Sequence, residues 1–103
     1  MEKTVTVYRL AEEGILRQVL CDCFYRYEDG LDKEGFTRKF LLISTGAFPL
    51  CPGDRIYDGE GPQIMADQWD TFLPETVPGL SVAAYATARY LGERFHHWEA
   101  GRK

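Results

Sequence analysis

Hydrophobic and polar positions alternate over the first third of the chain. Residues 4–10 are rich in β-branched side chains, and a second run over 15–27 follows the polar turn Ala11-Glu12-Glu13-Gly14. Two such runs around a short turn predict a β-hairpin. With a period of two, Ile15, Val19, Cys21, Cys23, Tyr25 and Tyr27 share one face of the second strand. Gln18, Asp22 and Arg26 take the other face, and Arg17 breaks the alternation near the start. Residues 28–35 are too polar for a core and contain Gly30 and Gly35, which predicts a protruding loop. A strand resumes over 36–44. Its stretch Phe40-Leu41-Leu42-Ile43 is apolar on both faces, as expected of a central strand covered on both sides or of one whose outer face meets another subunit.

The five prolines all fall between Pro49 and Pro78, marking residues 49–79 as one long connection. Inside it, Pro52-Gly53 forms a tight turn into a short strand, Arg55-Ile56-Tyr57-Asp58, that Gly59 stops. Met65, Trp69 and Phe72 are spaced by four and three, which predicts one side of a short helical turn ending before Pro74. Alanine, leucine and arginine favour helix over 80–91, whereas Val82, Tyr85, Thr87 and Tyr90 suit a strand. We assign a strand, because Gly92 separates this segment from the aromatic run Phe95-His96-His97-Trp98 and so gives a terminal hairpin turning near Gly92-Glu93. The predicted fold is mainly β: one small barrel or sandwich over residues 1–103, with a long proline-containing connection and one short helical turn.

Composition narrows the function classes. A chain of 103 residues makes a single domain with one modest core. Its 45% hydrophobic and 14% aromatic content excludes wholesale disorder. No apolar run approaches the roughly 18 residues of a membrane span, and no membrane partner is expected. The opening Met1-Glu2-Lys3-Thr4-Val5 lacks the pattern of a secretory signal, which predicts synthesis in the cytoplasm. The formal charge is −4 and the twelve Lys and Arg residues are scattered, so the sequence shows no footprint for a phosphate backbone. Arg102-Lys103 is read as a solvated tail.

Several groups could carry chemistry. Cys21, Cys23 and Cys51 with His96 or His97 offer three thiolates and an imidazole to zinc, but Cys-x-Cys within a strand is not the Cys-x-x-Cys knuckle of structural sites. Buried free cysteine is the preferred reading. The odd cysteine count argues against disulfides. Nothing in the sequence places Cys51 beside a histidine as an activated nucleophile. Glu28, Asp29, Asp32 and Glu34 do not follow a calcium-loop pattern. Gly59-Glu60-Gly61-Pro62 lacks the lysine and helix of a phosphate loop, and Ser44-Thr45-Gly46 is not a nucleophile elbow. We therefore expect no enzyme, no cofactor and no metal.

The order of features resembles the small head-completion proteins, of stopper or minor-capsid type, of tailed phages and prophages of Gram-positive bacteria. The likeness is carried by the opening Thr4-Val5-Thr6-Val7-Tyr8-Arg9, by Phe24-Tyr25-Arg26-Tyr27 before an Asp and Lys loop, by Leu50-Cys51-Pro52-Gly53-Asp54-Arg55-Ile56, and by the closing His97-Trp98-Glu99-Ala100-Gly101. The chain departs from that pattern at Cys51, at Phe48 and Leu50, and over 62–79. The resemblance implies a β-barrel that forms a homo-oligomeric ring between portal or adaptor and tail proteins in the virion, closing a channel through which DNA passes without sequence-specific binding. In that setting Glu28, Asp29, Asp32, Lys33 and Glu34 would face the lumen or a neighbour. Phe40, Leu42, Trp69, Phe72 and Trp98 would contact the ring or a partner. A second reading is an OB- or SH3-like binding module that stacks a ligand on Tyr25, Tyr27, Phe36 and Trp69.

Overall fold

The computed structural model describes residues 2–32 and 35–102. Seven strands form one antiparallel sheet: β1 (Lys3–Ala11), β2 (Gly14–Asp32), β3 (Gly35–Ser44), β4 (Arg55–Asp58), β5 (Leu80–Val82), β6 (Tyr85–Leu91) and β7 (Arg94–Arg102). Their order across the sheet is β5-β4-β1-β2-β3-β7-β6. A 3-10 helix, Ala66–Thr71, lies in the connection between β4 and β5.

β5 and β6 are consecutive in the chain yet lie at opposite ends of this order, so the sheet must curl enough for residues 83–84 to cross from one end to the other. Residues 82–84 make the join. The Ala84 N–H donates to the Gly101 carbonyl (2.8 Å) and the Ala83 N–H to the Asp54 carbonyl (2.8 Å), while Arg102 Nε donates to the Val82 carbonyl (3.1 Å). The product is a curled half-barrel. The segment 80–91 is thus two strands broken at Ala83-Ala84 rather than one. Its helix-favouring alanines lose to the edge positions that the curl offers.

The sheet is buried on both faces near β1. Inside the curl lie Val5, Val7, Leu20, Cys23, Tyr25, Phe40, Leu42, Leu50, Ile56, Ala83 and Ala100. On the other face Tyr8, Phe72 and Leu80 pack with Ile15, Tyr57, Ile64, Trp69 and Val77. The long connection is therefore the cover of a second core. Met65 is outside that cover, 71% exposed. Only Trp69 and Phe72 of the predicted stripe pack down, three apart as a 3-10 helix requires.

One bulge corrects the face assignment on β2. Val5 pairs with Leu20, but Lys3 pairs with Cys23, so β2 carries an extra residue between them. Asp22 absorbs it with φ 59°, a left-handed conformation that Asp tolerates better than most residues. The period of two changes phase there. Ile15 and Arg17 lie beside Tyr8 under the connection, Cys23 and Tyr25 enter the curl, and Cys21 is exposed. Arg17 belongs to its face, since its guanidinium donates to the Gly61 carbonyl.

The predicted loop at 28–35 is also corrected. β2 and β3 stay paired from Phe24↔Ile43 to Asp32↔Gly35, forming one long hairpin. β1 pairs with β2 only as far as Cys23, and β7 pairs with β3 only from Phe40 onward. Among the described residues, the hairpin beyond those points is a two-stranded arm with both edges unpaired. Its polarity marks a paired ribbon, which residue composition does not distinguish from a loop.

Candidate functional site

The arm is held by cross-strand contacts at its foot. Arg38 Nε donates to Asp29 Oδ1 (2.5 Å) and Arg38 Nη2 to Asp29 Oδ2 (3.2 Å), while the Arg38 guanidinium stacks 4.4 Å from the Tyr27 ring. Arg38 is 7% exposed, and its Nη1 has no hydrogen-bond partner among the described residues. Tyr25 lies deeper. Its hydroxyl bonds Ser81 Oγ (2.9 Å), and burial pushes its pKa up.

A cleft of about 450 Å³ opens where β7 ends and the arm continues, lined by Arg26, Tyr27, Glu28, Lys39, Phe40, Leu41, Tyr85 and Arg102. The strand register explains the lining. Arg26 faces Leu41 and Glu28 faces Lys39, while Gly101 lies between Leu41 and Tyr85. A Cβ at Gly101 would stand 2.5 Å from the Phe40 carbonyl oxygen and 3.0 Å from Tyr85 Oη, so glycine lets β3 and the tyrosine ring both approach β7 closely. Tyr85 donates to Glu99 Oε2 (2.9 Å). That bond, aided by Arg89, holds the Glu99 carboxyl below the usual glutamate range.

The motif residues behind the resemblance act as scaffold. Gly53 takes φ 88° in the turn, and Asp54, 1% exposed, receives Arg9 Nε on Oδ1 (2.7 Å), Arg9 Nη2 on Oδ2 (2.7 Å) and the Cys51 N–H on Oδ2 (2.8 Å). One buried carboxylate thereby ties β1, the Pro52-Gly53 turn and the start of β4. At the other motif, Trp98 packs against the inner core, which includes Ala100, and Gly101 supports Tyr85. Arg55 was not singled out from the sequence. Its guanidinium lies 3.6 Å from the Trp69 ring and donates to the carbonyls of Trp69 and Phe72, fixing the helix over the outer core. The aromatic and carbonyl partners come from a loop whose path the sequence does not reveal.

The predicted site residues separate into distinct places. Glu28 and Asp29 are exposed on β2, and Asp32 ends that strand. Lys33 and Glu34 lie outside the described residues. Phe40, Leu42 and Phe72 are at most 6% exposed, so as partner contacts they are corrected to core residues. Leu41 and Ile43, their half-buried neighbours on the convex face, hold the outward positions of β3. Trp69 and Trp98 are half-buried on different cores. The stacking set of the second reading is likewise divided, with Tyr25 inside the curl and Trp69 beneath Arg55; Phe36 pairs with Leu31 in the arm.

Cys23 is buried, Cys51 half-buried and Cys21 exposed. Burial raises the Cys23 thiol pKa, which opposes thiolate formation. A bulge in β7 opposite Arg89 and Tyr90 puts His96 Nδ1 2.7 Å from His97 Nδ1. Among the described residues no three His, Cys, Asp or Glu side chains converge as a metal set, and no helix is long and apolar enough to cross a membrane. Compared with known proteins, the chain matches no family model, no curated protein and no solved structure.

Proposed function

We propose that this chain is a structural subunit of a phage or prophage virion, a stopper-type ring component that joins head to tail and closes the DNA channel. The observation that carries the reading is the incomplete sheet: among the described residues, a half-barrel with β6 as an open edge of seven residues and a two-stranded arm unpaired on both sides. Unpaired edges are templates for adding strands, and a two-stranded ribbon alone is marginal in water. Copies arranged head to tail around a closed ring would cover both. The acidic balance fits a channel that DNA passes without adhering, and the motif resemblance adds the virion setting. Neighbours would be portal or adaptor proteins above and tail proteins below. The proposal assigns the chain no reaction and no cofactor. The binding-module reading has less support because Tyr25 and Trp69 lie on different cores.

The test is solution mass by light scattering over a range of concentrations, with electron microscopy of the concentrated sample. Closed rings of one stoichiometry are expected, formed by the chain alone or on a portal or adaptor ring. A strict monomer in both conditions, together with tryptophan quenching by single-stranded oligonucleotide at low salt, would transfer the assignment to a stacking module.

A further inference from the structure

We infer that the cleft at the foot of the arm is a docking site for an extended acidic peptide segment of a partner protein. The inference stands on the cleft alone and does not require ring formation.

Charge is the first argument. In a chain of net charge −4, this cleft gathers Arg26, Lys39 and Arg102 against the single carboxylate of Glu28. Arg26 and Lys39 are exposed, and neither has an ion pair or side-chain hydrogen bond among the described residues. A cationic pair kept free in a concavity attracts carboxylates more effectively than the same pair on a convex surface.

The lining gives the second argument. Tyr27, Phe40, Leu41 and Tyr85 supply half of the cleft wall. A bare anion site has no use for that apolar surface, whereas a peptide with carboxylates and apolar side chains in alternation uses both. The third argument is the backbone. Among the described residues, β7 pairs with β3 from Ser44 to Phe40, and β3 continues through Lys39 on its pairing with β2. An extended segment laid in the cleft would run along the edge of β3 that carries no strand among the described residues, the strand-addition mode of peptide recognition. Its alternate side chains then fall toward Lys39 and Arg26 on one face.

The test uses the full chain and a fluorescein-labelled heptapeptide of alternating glutamate and leucine, read by fluorescence anisotropy. Saturable binding is expected, weakened as salt rises through the screening range. Arg26→Gln and Lys39→Gln should each weaken it about three- to tenfold, with Lys39→Arg restoring most of the loss. Both positions are exposed and have no ion pair among the described residues, so thermal midpoints within about 2 °C of the parent are expected to confirm folding. Absence of binding would overturn the inference. So would equal binding of a glutamine-leucine peptide, which would indicate plain hydrophobic adhesion, or binding indifferent to both variants, which would move the site elsewhere. Stronger competition by inorganic phosphate or decathymidylate than by unlabelled peptide would also overturn it, in favour of a phosphate or nucleic-acid site. Ring formation is read separately by light scattering, so either outcome here leaves that reading independently testable.

Discussion

The Arg9–Asp54 pair offers the sharpest check on how the half-barrel is held. Asp54 is 1% exposed and accepts from Arg9 Nε, Arg9 Nη2 and the Cys51 N–H, all within 2.8 Å. Breaking a buried pair costs about 3–5 kcal/mol when the surviving charge stays desolvated. Here the survivor of Asp54→Ala is Arg9, whose side chain is 27% exposed and recovers part of its hydration. We therefore expect Asp54→Ala to cost about 2–4 kcal/mol, a fall in thermal midpoint of roughly 10–25 °C for a domain of this size. Arg9→Ala leaves the more deeply buried partner, and its cost should equal or exceed that of Asp54→Ala. The double variant should reveal a coupling of about 1.5–3 kcal/mol. Urea unfolding followed by tryptophan fluorescence, with the m-value checked for constancy, measures all three. A cost below about 1 kcal/mol for Asp54→Ala, or a coupling below about 0.5 kcal/mol, would refute the claim that this carboxylate ties the strands.

Other positions give independent expectations. Gly101→Ala places a methyl against the Phe40 carbonyl and should destabilise by about 1–3 kcal/mol, measured by the same urea titration; a neutral result would mean that β7 shifts freely. Glu99 has its pKa depressed, first by the Tyr85 hydrogen bond, so its contribution is present above the usual glutamate range and is lost as pH falls through the lower folded value. Thermal midpoints taken from pH 6 to pH 3 should consequently fall less steeply in Glu99→Gln than in the parent, and parallel curves would dismiss the linkage. Arg55→Ala removes the cation stacked on Trp69; faster amide exchange confined to residues 66–72 is expected, with β1 and β2 unchanged. Replacing residues 29–38 by a two-residue turn removes the Arg38–Asp29 pair as a unit, and should leave a folded monomer while abolishing any ring.

Local chemistry was legible where one segment determines its own structure. The β1–β2 hairpin, the Pro52-Gly53 turn and the β6–β7 hairpin near Gly92 follow from β-branched runs and turn residues, and all three are present. Three features depend on contacts distant in sequence and were not legible. The Asp22 bulge is a register decision between two strands, so a strict period of two cannot contain it. The break at Ala83-Ala84 exists because the sheet curls, a property of all seven strands together. Phe40 and Leu42 read as possible outward anchors because Phe40 through Ile43 is apolar throughout. Only the pairing of β3 with both β2 and β7 decides which of the four point into the curl. The cleft was invisible for the same reason, since Arg26, Lys39 and Arg102 come from three strands.

The arm brings these strands of argument together. The pairs that feed the inner core end at Tyr27↔Phe40, so a chain that needed only this core could turn there into β3. The chain instead continues the pair to Asp32↔Gly35, ordering backbone at about 1–2 kcal/mol per residue. Asp29, Arg38 and Tyr27 recover some of that cost through an ion pair and a stacked guanidinium. Arg38 is 7% and Asp29 46% exposed, so solvent screens one side of the pair only. In the ring proposed above, the remainder would come from the surface that neighbouring copies cover. That is why the arm's free edges and the cleft at its foot, rather than the well-filled cores, are where the function of this chain is to be sought.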